Sequence, residues 1–281
     1  MTVTAVQPLG ELKGPVLIFG GCYSNLQATQ ALRQQAERLG IAPAQVICNG
    51  DLVAYCGDPQ ATVDLIRDWG IPVVQGNCEQ SLAENADDCG CGFDLGSACS
   101  LLSVAWYRYA RQHVDVNSRA WMAELPASLS FELAGRKFML VHGGLSSNNR
   151  FIFESSPVTE FEFELTQTDA DVVIGGHSGL PFGRQLGSRY WLNSGVIGMP
   201  ANDATTDGWY LVLQPSAEGV ECRWYRLNYA ADQASRQMRA AGLPGAYADA
   251  LQSGLWPSMD VLPKRERTQQ GYKLALPSLM I

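Results

Sequence analysis

Several short apolar runs, each ending at a glycine or a polar turn, constrain the fold of this chain more than any other feature of its sequence. The runs cover residues 16–19, 46–48, 71–74, 138–141, 172–174 and 190–192. Runs this short and this apolar are typical of strands buried on both faces, because a half-buried strand alternates apolar and polar residues. They are predicted to be the buried strands of an α/β fold.

Helical patterns separate the first three runs. Apolar positions recur at helical spacing from Leu26 onward, and Gly40 is a natural C-terminal stop. Asp58 and Pro59 are typical of an N-cap and a first helical position, and this second helix is predicted to end before Gly70. The chain is therefore predicted to begin as β-α-β-α-β.

The pattern changes twice further along the chain. Residues 79–134 contain "DDCGCGFDLGSACS" and two helical patterns, near 101–113 and 118–125, and are predicted to form an insertion or cap over the sheet edge. The segments "WYLVLQ" and "VECRWYRL" are predicted to form an antiparallel pair. The predicted domain covers residues 1–230, and residues 231–281 are predicted to form a helical extension packed on it.

The charge of the chain limits the kinds of partner that can be expected. The 281 residues carry a net charge of −8, and "KRER" at 264–267 is the densest basic run, which we interpret as a solvated tail. Because proteins that bind a nucleic acid duplex usually have a basic face, no duplex partner is expected, although a small nucleotide stays open.

The sequence gives no sign of a membrane or secretory segment. No apolar run approaches the roughly 20 residues of a membrane helix. The N-terminal "MTVTAVQPLGELKGP" lacks a basic start followed by an apolar stretch. We therefore expect a cytoplasmic protein with no membrane partner, whose eight cysteines are mostly reduced.

Polar residues follow four of the apolar runs at the strand ends. His142 and His177 each lie beside glycines directly after a run, and Asp51 and Asn77 end "QVICNGD" and "IPVVQGN". Two oxygen and two imidazole ligands suit a divalent Zn, Mn or Fe ion. Asp and Asn also cap turns, and a single histidine is more often structural. The third histidine, His113, lies in a polar helical context and receives no role.

The order of these motifs resembles a known family. The series "GD", "GNCE", "VHGG", "GGHSG" resembles the calcineurin-like metallophosphoesterases, and more closely their small bacterial phosphodiesterase and diadenosine-tetraphosphatase-like branch. "GDLVAYCGDP" is similar to that branch's "GDLVGYGPDP", and "LNSGVIGMP" to its "NPGSVGQP". The resemblance covers roughly residues 15–228. It implies a four-layer α/β/β/α sandwich of two mixed sheets, with a two-metal site at the strand ends.

The sequence departs from the family at one of the two metals. The family's Asp-x-His-Gly-Asn motif falls on residues 21–25, and its Gly-His-Thr-His motif falls on residues 176–179. Gly21, Tyr23 and Gly179 thereby replace three ligands of one metal. The resemblance assigns to the other metal four residues that are all present: Asp51, Asn77, His142 and His177. We therefore expect one divalent ion (Mn, Fe or Zn) per chain and a degenerate first metal site.

Four further residues form the predicted catalytic set, namely Tyr23, Asn25, Cys78 and Arg150, and Arg184 is weighed beside Arg150. Arg150 could contact the phosphoryl oxygens through two bonds, as could Arg184, although each could equally be a surface arginine. Tyr23 could be a donor, a ligand or a packing residue that fills the lost site. Asn25 ends the first motif, and Cys78 lies in the "GNC" that occurs in this branch.

The cysteines leave alternatives open. Cys89, Cys91 and Cys99 could be soft metal ligands, and thiolates near the strand ends could replace lost ligands, but free cysteines more often pack in the core. Three functions follow: a metal-dependent hydrolase of a small phosphorylated metabolite or nucleotide, a non-catalytic binding or regulatory relative, and a different metal chemistry based on cysteine.

Overall fold

The apolar runs of the sequence form the central strands of two sheets in the computed structural model, which describes residues 6–94 and 96–281. Residues 1–5 of the N-terminal segment and Leu95 of the predicted insertion lie outside the described residues. The strands are β1 (Val6–Glu11), β2 (Val16–Phe19), β3 (Val46–Cys48), β4 (Ser128–Leu133), β5 (Arg136–Val141), β6 (Val172–Gly175), β7 (Phe182–Leu186), β8 (Arg189–Asn193), β9 (Gly208–Ser216), β10 (Gly219–Leu227) and β11 (Leu279–Met280).

Both sheets are mixed. The six-stranded sheet has the order β1-β4-β5-β6-β8-β7, and the five-stranded sheet has the order β11-β10-β9-β2-β3. In the first, β5, β6 and β8 run parallel, whereas β4 and β7 pair antiparallel to their neighbours β5 and β8. In the second, β2 and β3 are parallel, and β9 and β10 form the predicted antiparallel pair.

Helices account for most of the remaining regular structure among the described residues. They are α1 (Leu26–Arg38), α2 (Pro59–Trp69), α3 (Asn77–Ala83), α4 (Ala98–His113), α5 (Val116–Ala123), α6 (Val158–Leu165), α7 (Ala231–Ala240), α8 (Gly245–Ser253) and α9 (Lys264–Thr268).

Three apolar clusters define the layers. Ile18 of β2 and Leu140 of β5 share the core between the two sheets. Leu17, on the other face of β2, packs with α1, α2 and α8, while Phe161 of α6 packs on the outer face of the six-stranded sheet. The predicted α/β/β/α sandwich of two mixed sheets is confirmed.

Two predicted elements differ from the structure. The run 71–74 is not a strand, because Val73 forms only an isolated bridge to Cys48. Pro72, which has no N–H to donate, limits this pairing. The apolar face predicted for the first helix does not extend to Leu39, which follows the last residue of α1 and is 45% exposed.

The segment 79–134 is only partly helical. It contains α4 and α5, but it ends in β4, an internal strand of the six-stranded sheet. The C-terminal segment contains α7, α8 and α9 and ends in β11, which pairs with β10. The proposed boundaries of the domain and its extension stay predictions. Among the described helices, none is both long enough and apolar enough to cross a membrane.

A buried ion pair holds the C-terminal segment to the five-stranded sheet. Asp203 Oδ2 lies 2.6 Å from Arg226 Nη2 and accepts a hydrogen bond of 2.9 Å from the Leu274 N–H. Burial alone would raise the pKa of Asp203, but hydrogen bonds from Thr205 and Arg226 outweigh it and hold the pKa below its usual value. The carboxylate is therefore charged and paired in the folded chain.

We expect Asp203→Asn to lower the free energy of unfolding at pH 7 by about 2 kcal/mol, because it removes a charge-assisted hydrogen bond. The folded-state pKa lies below the unfolded one, so this stabilisation is complete above about pH 4 and is lost as pH falls through the folded pKa. Urea unfolding at pH 7 and pH 3 checks this. The control is Asp169→Asn, because Asp169 is exposed and pairs with Lys137 at the surface. Little change in the free energy of unfolding is expected for this control. An equal Asp203→Asn effect at both pH values would contradict the prediction.

Candidate metal centre

Four polar side chains meet at one edge of the two sheets. Asp51 follows β3 of the five-stranded sheet, and Asn77 is the first residue of α3. His142 and His177 follow the neighbouring strands β5 and β6 of the six-stranded sheet. All four side chains are buried.

The donor atoms converge on one ring nitrogen. His142 Nε2 lies 3.0 Å from Asn77 Oδ1, 3.1 Å from His177 Nδ1 and 3.3 Å from Asp51 Oδ2. One ligand atom each from Asp51, His142 and His177 lies within 4.8 Å of the other two. Two imidazole nitrogens, one carboxylate oxygen and one amide oxygen thus face a common point, which is a donor set suited to a divalent transition metal.

Main-chain carbonyls orient three of these ligands. His142 Nδ1 lies 2.8 Å from the Asn49 carbonyl, and His177 Nε2 lies 3.2 Å from the Cys91 carbonyl. A carbonyl only accepts, so each ring donates there and presents its other nitrogen to the centre. Asn77 donates to the Cys89 carbonyl at 2.8 Å, which turns its amide oxygen inward.

The electrostatics of the centre also suit a cation. Burial alone would lower the pKa of His142, but the Asp51 carboxylate outweighs it and raises that pKa. The pKa of Asp51 is correspondingly lowered by His142 against the effect of burial. Burial and the neighbouring His142 charge lower the pKa of His177 to about 4. The buried Asp51 carboxylate thus favours a positive charge at the neighbouring His142.

Glu79 is a buried part of this site that the sequence analysis did not single out. Its carboxylate accepts hydrogen bonds from the N–H groups of Asp51 (2.8 Å), Leu52 (2.8 Å) and Gly76 (3.0 Å). Asp51 has a φ of +56°, a left-handed conformation that an aspartate adopts only at a cost. Burial, followed by the Asp51 charge, raises the pKa of Glu79 to about 7. The signal was the acidic fourth residue of "GNCE", which sits at the third position of α3.

Tyr23 occupies the region between Gly21 and Gly179. A Cβ atom on Gly21 would lie 2.4 Å from Val196 Cγ1 and 2.7 Å from Tyr23 Cζ, while one on Gly179 would lie 3.9 Å from Tyr23 Oη. The tyrosine ring therefore reaches from one glycine to the other. Burial, and next the Asp51 charge, raise the pKa of its phenol well above the usual value, so Tyr23 is neutral here.

Asn25 and Arg150 make contacts of their own. Asn25 caps α1 through the Ala28 N–H (3.1 Å), and its amide donates to the Gly198 carbonyl at 3.0 Å. Arg150 Nε lies 3.3 Å from Glu164 and Arg150 Nη2 lies 3.7 Å from Glu160, both on α6. The other predicted arginine, Arg184, donates to the Glu154 carbonyl at 2.8 Å. A catalytic role for any of these residues stays a prediction.

All eight cysteines are free and buried. Asn77 Nδ2 lies 3.3 Å from Cys91 Sγ and 3.5 Å from Cys78 Sγ. Burial raises the pKa of the Cys78 and Cys91 thiols well above the usual value, which keeps both protonated. The Asp51–His142–His177 group, which is the candidate metal group found among the described residues, includes no cysteine.

Two mixed sheets between helices, with a buried carboxylate and two histidines at the strand ends, define a metallophosphoesterase-like protein. Residues 17–217 match the model of the calcineurin-like phosphoesterase superfamily domain, and the chain belongs to that superfamily. The family resemblance predicted from the motifs is thereby confirmed.

Individual relatives are distant in sequence. An uncharacterized protein of Methanocaldococcus jannaschii is 21% identical over 206 residues, which cover 67% of this chain and 78% of that protein. A metallophosphoesterase from Sphaerobacter thermophilus has a TM-score of 0.68 at 19% identity, covering 87% of this chain and 100% of its own. A hypothetical protein from Pyrococcus horikoshii OT3 has a TM-score of 0.72 at 15% identity, and the match covers 86% of this chain and 99% of that one. At these identities the likeness is one of fold.

Proposed function

We propose that this chain is a metal-dependent phosphoric ester hydrolase that acts on a small phosphorylated metabolite or nucleotide. The observation that carries the proposal is the convergence of Asp51, Asn77 and His177 donor atoms on His142 Nε2, within 3.3 Å. A divalent cation between these atoms would be stabilised by the carboxylate, the amide oxygen and the two ring nitrogens together.

In this proposal one divalent ion (Mn, Fe or Zn) is held by Asp51, Asn77, His142 and His177. When bound, the ion supplies a Lewis acid for the phosphoryl group and lowers the pKa of water at the site. The chain contributes the orientation: the Asn49 and Cys91 carbonyls fix the two imidazole tautomers. Glu79 holds the backbone of Asp51 in its left-handed conformation.

We further propose that the family's other metal site is lost. A Gly21 side chain would meet Val196 and Tyr23 below 3.0 Å, which supports this part of the proposal. The neutral phenol of Tyr23 is then left to donate a hydrogen bond to a phosphoryl oxygen.

The test is turnover of a panel of phosphomonoesters and phosphodiesters, mononucleotides included, by metal-loaded and chelator-treated protein. We expect hydrolysis of at least one ester by the loaded protein only. His142→Ala should fall to background with an unchanged circular dichroism spectrum, and His113→Ala, which alters an exposed histidine, should keep full activity.

A second candidate function is a non-catalytic binding or regulatory protein. This candidate is favoured by Tyr23 and Val196, which fill the space where a metal-ligating side chain at position 21 would lie. If the protein binds metal but hydrolyses no ester on the panel, the hydrolase proposal is contradicted and this candidate remains.

A further inference from the structure

A small cavity lies next to the candidate metal centre and shares one of its residues. The cavity has a volume of about 70 Å³, and His177 forms part of its wall. Segments far apart in the chain meet around it, from the turn after β2 to the loop after α8. Six of the fifteen lining residues are aromatic: Tyr23, Tyr55, Phe93, Phe151, Tyr247 and Trp256.

These aromatic rings support one another. On one side, Tyr55 contacts Tyr23 and Tyr247, with ring centroids 4.8 and 4.7 Å apart. On the other side, the Phe151 ring lies 4.3 Å from the His177 ring. Trp256 is anchored by a 2.6 Å hydrogen bond from its Nε1 to the Pro200 carbonyl. The walls are thus packed in place, and a ligand group need not order them.

The wall residues carry little charge. Apart from His177, the described lining has no arginine, lysine, aspartate or glutamate. A polyphosphate chain or a second phosphate in this cavity would lose its water and gain no cation, which is unfavourable.

The volume limits what can enter. An engineered apolar cavity of about 150 Å³ holds benzene, which has six heavy atoms, so this cavity accepts a group of about three to four. A purine base is too large for it. Aromatic walls favour groups covered by methyls, either neutral, through burial of apolar surface, or cationic, through the faces of the rings.

We propose that this cavity binds a compact, methyl-covered group of the substrate, the alcohol part of a phosphoester whose phosphoryl group lies at the metal centre. As a statement about a substrate it rests on the proposed hydrolase function, whereas the binding of such a group to the cavity does not. A branched alkyl group and a methylated ammonium share this chemistry.

The first experiment measures binding without metal or turnover. Chelator-treated protein is titrated with 3,3-dimethylbutanol, with choline and with glycerol, using saturation-transfer NMR of the probe protons. We expect saturation of the methyl protons of at least one methyl-covered probe, and none of glycerol. If only dimethylbutanol binds, the cavity takes a neutral alkyl group. If only choline binds, it takes a methylated cation. If both bind, the cavity selects the shape of the group and not its charge.

Val261→Phe, which fills the cavity from its half-buried rim, should weaken this binding at least 10-fold. The matched control is Val104→Phe, at a position on α4 that is 55% exposed, and it should bind as the wild type does. Trp256→Ala, which removes one wall, is a second variant in case Val261→Phe does not fold. Equal binding of glycerol, no binding of either methyl-covered probe, or binding unaffected by both cavity variants would overturn the proposal.

A turnover experiment then separates the cavity from the hydrolase function. With metal bound, the phosphate esters of dimethylbutanol or choline should have a kcat/KM at least 10-fold above that of glycerol 2-phosphate, and Val261→Phe should remove the difference. Probe binding with no turnover of any ester would mean that the hydrolase proposal fails while the cavity assignment stands. Turnover with no preference for the methyl-covered esters would overturn the substrate assignment.

Discussion

Asp51→Asn is expected to reduce metal content from about one ion per chain to almost none after dialysis. The substitution keeps the shape of the side chain but removes the negative charge from one of the three ligands that meet at His142 Nε2. Loss of an outer partner of a ligand already lowers metal affinity roughly 10–100-fold, so loss of the anionic ligand should lower it more than 100-fold. Elemental analysis of protein purified without added metal or chelator measures the content, and equilibrium titration measures the affinity.

Asp203→Asn provides the matched control for this experiment. Asp203 is as buried as Asp51, at 3% and 4% exposure, but it pairs with Arg226 away from the centre. Its metal content should equal that of the wild type. Two ions per chain in the wild type would contradict the one-metal proposal, and full metal content in Asp51→Asn would remove Asp51 from the ligand set.

Gly21→Asp restores the family's residue at the first motif, yet it is expected to destabilise the chain by about 3 kcal/mol or more. The new Cβ atom would lie 2.4 Å from Val196 and 2.7 Å from Tyr23, so packed side chains must move. Overpacking of this kind costs roughly 1–3 kcal/mol, and the left-handed backbone of residue 21 adds about 1–2 kcal/mol for a residue with a Cβ. Urea unfolding at pH 7 measures the change, and metal content should not rise.

Gly135→Asp separates the two causes. Gly135 also has a left-handed backbone, with a φ of +73°, but a Cβ atom there would have nothing within 4 Å. This control should therefore lose only the backbone part, about 1 kcal/mol. If both variants lose the same stability, the space beside Gly21 is not filled as described. A second bound ion in Gly21→Asp would show that the lost metal site is easily rebuilt.

The strands and the candidate ligands could be predicted from the sequence for one physical reason. A strand buried on both faces must be apolar throughout, so its end is visible as the first glycine or polar residue. His142 directly follows such an end, Asp51 and His177 follow theirs within three residues, and the strand ends meet at one edge. The run 71–74 broke this rule because Pro72 limits its hydrogen bonding, which apolar character alone does not reveal.

Other parts of the site depend on contacts that sequence patterns do not encode. The carbonyls of Cys89 and Cys91 orient Asn77 and His177, and every residue has a carbonyl, so nothing in "DCGCG" marks them. The sequence pattern indicated a role for the cysteine thiols, whereas the contacts to Asn77 and His177 also involve the main-chain oxygens of Cys89 and Cys91. The contacts of Arg150 with Glu160 and Glu164 are likewise not visible in the sequence, because both partners lie on the following helix α6.

The two sheets contribute to the centre from opposite sides of the core. Asp51 extends from the five-stranded sheet, whereas His142 and His177 extend from the six-stranded sheet. An ion held by all three would cross-link the two halves of the sandwich at one end, and unfolding would have to release it. At a free metal concentration one hundred times Kd, this linkage adds about 2.7 kcal/mol to the free energy of unfolding. The thermal midpoint of this protein would then depend on the metal supply of its surroundings as well as on its own packing.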